Sequence, residues 1–387
     1  MSLTQDQARA LWDAGGFAVL TGLAPGSEVG LDGSVHATAA FAGYKFVPPG
    51  VHALVWSREA EAESEREGGG ASGPLPLRTA LVKQWAPRER VALDADGGTR
   101  SIGEAELRAL DPHLAPFPFA RLDDWKALAA PISAAVLQDA LPGVVDSLTP
   151  VEGDVDEVDE VLRRRKGADG MEVGESETAA KPERIRLPMF DLKRSWRPGA
   201  TGDEVTRWSR DKSDLWARMS ARYGGPSALV GYTALAFVLV TQVWNAPSLS
   251  AYRRLVALQC RAHTALAEPE CFPDAFPTAR DAGEARVAAL AFVDLIAAQI
   301  ASLPAQAFDV ELPDLDVFYQ EEIEALRRGL GAALAVREWW GLARRAQGSW
   351  TRLRAVGRER GWEIRPLPQG DEEEDEEGED APVVVET

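Results

Sequence analysis

The sequence predicts an α+β chain of more than one domain, a mostly-β half followed by an α-helical half. Three observations lead there. The length, 387 residues, exceeds what one hydrophobic core usually organises. Residues 17–122 alternate short apolar runs with turn chemistry, whereas the chain after Ile185 carries long helical stretches. A polar, acidic stretch without sustained period separates them. The expected boundaries are a β-rich domain over 1–147, a flexible acidic linker over 148–184, an α-helical domain over 185–365 and a disordered acidic tail over 366–387.

In the β-rich half, FAVLTGL ends at APGSEVG, where Pro25-Gly26 and Gly30 are read as tight turns. FAGYKFVPPGVHALVWS is a β-rich run broken by a Pro48-Pro49-Gly50 corner. LRTALVKQWA and RVALDADGG continue the pattern, the second closing on a hairpin at Asp96-Gly97-Gly98, and two short helices are expected at 103–110 and 121–140. After the linker, ALVGYTALAFVLVTQVW (228–244) is apolar on nearly every side. Its length would suit a membrane span. Thr233, Thr241 and Gln242 interrupt it and amphipathic helices follow, so a buried central helix is the better reading and no membrane partner is expected. Further helices are predicted over 252–267, 284–303, 317–335 and 337–360, with Pro247-Ser248 as a stop and N-cap. This half reads as a helical bundle or short solenoid.

Charge and rare residues exclude several classes. The net charge of -19 is concentrated outside the folded halves, because DEEEDEEGED (371–380) holds nine acids and no base. Residues 185–370 hold twenty-four bases and twenty-one acids, so a general nucleic-acid face is not expected. Cys260 and Cys271 cannot make a disulfide framework or a four-ligand zinc site, which suits a reducing compartment. His36, His52, His113 and His263 are scattered, and no GxSxG, HExxH or Walker-type motif occurs. Catalytic residues, cofactor sites and metal ligands are therefore all read as none. The opening MSLTQDQARALWDAGG lacks the basic start and apolar run of a secretory leader.

One face carries suggestive chemistry. Over 337–365, eight arginines against three glutamates are interleaved with Trp339, Trp340, Trp350 and Trp362. Arginine plus aromatics can clamp RNA, or the tryptophans can be core with arginine stems laid over them. The composition supports a binding protein rather than an enzyme.

Several segments together resemble the a-one cistron splicing factor family (Aar-two). Pro25, Gly26, Ser27, Glu28, Gly30 and Asp32 of VLTGLAPGSEVGLD match its opening block. Phe41, Gly43, Lys45, Pro48, Pro49, Gly50 and His52 match the next, and LAPFPFARLDDW (114–125), PGATGDEVTRWSRDKSDL (198–215), the helix ending QVW, YRRLVALQCRAH and APVVVE (381–386) follow in family order. The long loop at 58–74 and the acidic linker depart from the pattern. The resemblance implies a β-sandwich-like domain joined to an α-helical VHS-like domain. It also implies an assembly factor of the U5 small nuclear ribonucleoprotein (snRNP), a cytoplasmic phosphoprotein with nuclear presence and monomeric alone. Its implied partner is the particle's large scaffold protein, bound at RNase-H-like and MPN-like domains and excluding the snRNP helicase. The alternative is an acidic-tail chaperone facing histones or RNA.

Three expectations follow for particular residues. Pro48-Pro49-Gly50-Val51-His52 is a structural corner, with His52 bonded to nearby backbone, because two prolines fix φ and Gly50 admits φ > 0. Ser248 is read as a helix cap and, with Ser250, as the candidate phosphorylation site; Ser195, Ser209 and Ser213 stay open. Pro382-Val383-Val384-Val385 is read as a docking strand held out on the acidic run, since consecutive β-branched residues favour extended chain.

Overall fold

The computed structural model describes residues 5–23, 27–37, 41–57, 77–153, 183–304, 307 and 314–368. Among these residues, ten strands form two five-stranded sheets. The first holds β1 (Gly16–Thr21), β4 (Gly43–Val47), β7 (Arg90–Asp94), β8 (Thr99–Arg100) and β9 (Leu114–Pro116), ordered β8-β7-β1-β4-β9. The second holds β2 (Glu28–Leu31), β3 (Ser34–Ala37), β5 (Gly50–Ser57), β6 (Arg78–Trp85) and β10 (Val144–Asp146), ordered β10-β6-β5-β2-β3. Leu20, Leu31, Tyr44, Leu54, Trp56, Trp85 and Leu93 fill the space between them, so this half is a β-sandwich. The outer face of the first sheet is covered by α1 (Gln5–Ala14) and α2 (Glu104–Leu110), with Trp12 edge-on to Phe17.

Strand alternation sorts β5 between two cores. Leu54 and Trp56 point into the sandwich, while Val51, Ala53 and Val55 point to the helical half. The second sheet is thus a middle layer, which explains why seven of the eight residues of β5 are buried. The chain enters this layer at the Pro48-Pro49-Gly50 corner, between β4 of one sheet and β5 of the other.

Two local expectations are corrected. Gly30 is not a turn residue but lies inside β2, where a Cβ would sit 2.8 Å from both Val35 and Val55 side chains. The turn falls two residues later, at Asp32-Gly33, where both residues have positive φ. The helix expected over 121–140 is two, α3 (Leu122–Ala129) and α4 (Ala134–Ala140), split at Pro131 with Ser133 capping the second.

The helical half contains α5 (Gly202–Arg210), α6 (Ser213–Arg222), α7 (Pro226–Val238), α8 (Ala246–Cys260), α9 (His263–Ala267), α10 (Ala279–Ser302), α11 (Leu315–Leu334) and α12 (Ala343–Glu359). The helix expected over 252–267 begins at Ala246 and breaks after Cys260. Helix α7 continues as one π turn (Leu239–Val243) that ends at Trp244 in the left-handed region. It packs against α3, α4, α6, α8 and α10, so its uniform apolarity is that of a central core helix. By length and apolarity two segments among the described residues could span a membrane, Pro226–Val243 and α10; they are 72% and 67% buried inside the fold. The second was not expected from sequence.

The ends of the expected linker are tied. Val151 pairs with Ile185, both fully buried, and Arg186 N donates to Ala140 O. Likewise the first residues of the expected tail pack on α11: Leu367 is buried and the Pro368 ring lies against Gly331.

Asn245 joins the two halves. Its Oδ1 accepts from Ser248 N (3.0 Å) and Ser248 Oγ (2.7 Å), capping α8, while its Nδ2 donates to Asp146 O (3.1 Å) and Thr149 O (2.9 Å). Asn245→Ala removes a cap worth about 1 kcal/mol and strands buried carbonyls, for a total loss of about 2–4 kcal/mol in urea unfolding. Asn245→Asp, which keeps the cap but not the donors, should fall between.

Candidate docking surface at the domain junction

The corner begins with Phe46, an extra residue in β4 opposite β1, at φ 68°. Gly50 closes it at φ 146°, a conformation that favours glycine. His52 then points back: one ring nitrogen, Nε2, lies 2.9 Å from Pro48 O and the other, Nδ1, 2.6 Å from Asp32 Oδ2. Asp32 Oδ1 accepts from Ala53 N at 3.0 Å. Both side chains are almost completely buried, and Trp85 and Phe117 meet the imidazole edge-on. Pro48 O can only accept, so Nε2 carries a hydrogen and one proton lies between Nδ1 and the carboxylate. Burial raises the Asp32 carboxyl above its ordinary value, against the pull of the His52 hydrogen bond and charge. The bond to corner backbone fits the sequence reading. The carboxylate partner of His52 comes from the turn twenty positions earlier.

The other motif residues brace the same sandwich. Lys45 Nζ bonds Asp111 Oδ1 at 2.6 Å, and Glu28 accepts from Arg78 Nη2 at 3.1 Å. A Cβ on Gly43 would lie 2.0 Å from Ala18 O. Pro25 and Gly26 lie outside the described residues, as do Pro382, Val383, Val384 and Val385. His36 is exposed, and no group of three or more His, Cys, Asp or Glu among the described residues could hold a metal.

Next to the Asp32-Gly33 turn a groove of roughly 1050 Å³ opens between the two halves. Its walls include Arg121, Asp124, Trp244 and Leu303. Arg121 Nη1 donates to Gly33 O at 2.9 Å and Trp125 Nε1 to Val51 O at 2.7 Å, fixing α3 against the turn and the corner. On the far side, the Arg78 guanidinium lies 3.8 Å from the Trp244 ring centre and Ser147 Oγ donates to Val243 O at 2.6 Å. The motif blocks therefore sit beside the seam, and the groove combines apolar walls with a few polar groups. VLTGLAPGSEVGLD, through Asp32, LAPFPFARLDDW and QVW are the segments of the sequence that reach this region.

The capping role read for Ser248 is corrected: Asn245 caps α8, and Ser248 lies in its first turn, fully buried. A phosphate has no room on that hydroxyl, whereas Ser250 is exposed. Ser195 and Ser213 are also fully buried, and Ser209 is half-buried. Ser248→Asp should destabilise by about 3 kcal/mol or more, as a buried unpaired charge. Ser250→Asp should stay within about 0.5 kcal/mol of the parent. Thermal and urea unfolding read both.

The arginine–tryptophan face also resolves. Trp339, Trp350 and Trp362 are core residues; the indole of Trp339 donates to Leu266 O and that of Trp350 to Arg365 O. Arg352 pairs with Asp294 and Arg354 donates to Ile364 O. Of the four tryptophans, only Trp340 is exposed, at 67%.

Comparison with known proteins follows this division. A family model described as the AAR2 N-terminal domain matches residues 14–142, and one described as the AAR2 C-terminal repeat region matches residues 187–365. The chain belongs to the AAR2 family. Relatives include the Protein AAR2 homolog of Mus musculus, 29% identical over 296 residues that cover 69% of this chain and 74% of that protein. The Homo sapiens homolog is 27% identical with the same coverage, and that of Caenorhabditis elegans 28% identical over 127 residues, covering 32% of this chain and 34% of that protein. The two AAR2 matches meet the sandwich and the helical half, and the interval between them contains residues 154–182, outside the described residues.

Proposed function

We propose that this chain is a U5 snRNP assembly chaperone that docks the large scaffold protein at its RNase-H-like and MPN-like domains and delays docking of the helicase. Membership of the AAR2 family supports a splicing-related factor, and the match to both domains in order is the observation that carries the reading. The seam at Asn245, Ser147 and Arg78 gives such a factor one continuous surface instead of two tethered ones. Release by phosphorylation falls most naturally on exposed Ser250, and shuttling between cytoplasm and nucleus suits an assembly role. No catalytic step is assigned.

The rival reading, a chaperone facing histones or RNA, loses support from the helical half. Three of the four tryptophans that would stack on RNA are core residues. A pull-down with the full chain separates the two: the scaffold protein should be retained, and retention of core histones or bare RNA without it would overturn the proposal. Deleting Ala381–Thr387 should weaken scaffold binding if Pro382–Val385 adds a strand to it; unaltered affinity would remove the strand from the proposal.

A further inference from the structure

At the start of the last helical segment, three exposed arginines, Arg337, Arg344 and Arg345, have no hydrogen-bond or ion-pair partner among the described residues. They flank the exposed Trp340 in sequence. Arg337 and Trp340 share one side of the 3-10 turn Arg337–Leu342, and Arg344 follows Trp340 by one helical turn. Exposed Glu338 is an opposing charge there, leaving the face positive. This differs from the rest of the segment, where Arg352, Arg354, Arg360 and Arg365 all have partners in the fold.

The described chain ends heading toward this face. Arg365 Nη2 meets Glu324, Pro366 O accepts from Arg327, and the Pro368 ring lies on Gly331. Residues 365–368 therefore run alongside α11 in its own direction, toward the end from which Arg337 follows. Asp371 is three positions beyond Pro368, within about 10 Å of extended chain, and it opens the run of nine acids in ten.

The geometry points to residues 371–380 of the same chain as the occupant of the Arg337, Trp340, Arg344 and Arg345 face. Charge complementarity supplies the attraction. The tether supplies an effective concentration on the order of millimolar, which an external polyanion must exceed to displace it. An arginine guanidinium binds one carboxylate through two parallel N–H···O bonds, and the exposed Trp340 indole offers an apolar surface beside them. The inference is independent of the scaffold reading, since it concerns an intramolecular contact of the free chain.

Fluorine NMR of the full chain labelled with 5-fluorotryptophan tests it, with the Trp340 signal assigned by Trp340→Phe. Broadening of that signal by a neutral gadolinium chelate measures its exposure. At about 20 mM salt the broadening should be several-fold weaker than in a variant whose nine acids over 371–380 are replaced by Asn and Gln. The protection should vanish at about 0.5 M salt, and also in the triple variant Arg337→Ser, Arg344→Ser, Arg345→Ser at low salt. Equal broadening in the parent and the neutralised tail would overturn the proposal. So would protection that survives neutralisation and grows with protein concentration, which assigns the face to a second copy. A short oligouridine that binds the neutralised variant about tenfold tighter than the parent supports self-occupancy; equal binding would overturn it.

Discussion

Asp32→Ala is expected to lower folding stability by about 3–5 kcal/mol, the usual consequence of removing one member of a buried hydrogen-bonded pair. Asp32 and His52 expose 1% and 2% of their side chains, so water cannot replace the lost partner. The alanine variant leaves His52 Nδ1 without its carboxylate and Ala53 N without its acceptor. His52→Gln should be milder, roughly 2–3 kcal/mol, because an amide can still donate to a buried carboxylate. Urea unfolding of the three proteins gives the ordering directly. A His52→Gln variant that folds with unchanged stability would show that the pair does not brace the corner.

The second large effect lies in the helical half. Glu322 is buried, and Arg261 grips it through two bonds, Nε to Oε2 at 2.8 Å and Nη2 to Oε1 at 2.5 Å. Arg261→Ala would leave an uncompensated buried carboxylate. Because the guanidinium is 42% exposed and water can partly take its place, the expected loss is about 2–3 kcal/mol, below the range for fully buried pairs. Burial already raises the Glu322 carboxyl above its ordinary 4.5, with Arg261 opposing the shift. Without Arg261 that opposition disappears and the folded-state value rises further. A carboxyl raised on folding contributes most below its unfolded value and loses that contribution as pH rises through the folded one. The deficit of Arg261→Ala should therefore be largest near neutrality and shrink as pH falls toward 4.5. Unfolding free energies measured across that window check the slope, and a deficit that does not change with pH would contradict it.

Much of the fold could be read in the residues, and the unread parts share a cause. The β-rich run ending at Ser57 marked a strand, and the near-uniform apolarity of residues 228–244 marked a core helix. Neither pattern says which layer lies on each side, so the middle-layer position of β5 had to come from tertiary contacts. Pro247-Ser248 looked like a cap because serine caps well. Pro247 is equally at home inside a first turn, which let Asn245 take the cap three residues earlier. Gly30 was read as a turn since glycine permits one; here its missing side chain makes room for Val35 and Val55.

The candidate surface was legible only in pieces. The Pro-Pro-Gly-x-His block was visible, but its Asp32 partner comes from the turn between β2 and β3. The groove draws on residues from Asp32 to Pro304, a span over which local spacing carries no information. Of the arginine–tryptophan face, the composition offered a clamp or a core; burial chose core for Trp339, Trp350 and Trp362 and left Trp340 outside.

The most direct test of the proposed docking role is a three-component binding measurement. A labelled scaffold fragment holding the RNase-H-like and MPN-like domains is titrated with the full chain, alone and with saturating helicase. The expected result is a one-to-one complex with the chain that helicase and chain never share. A ternary complex, or a scaffold that the chain fails to bind at all, would contradict the assignment.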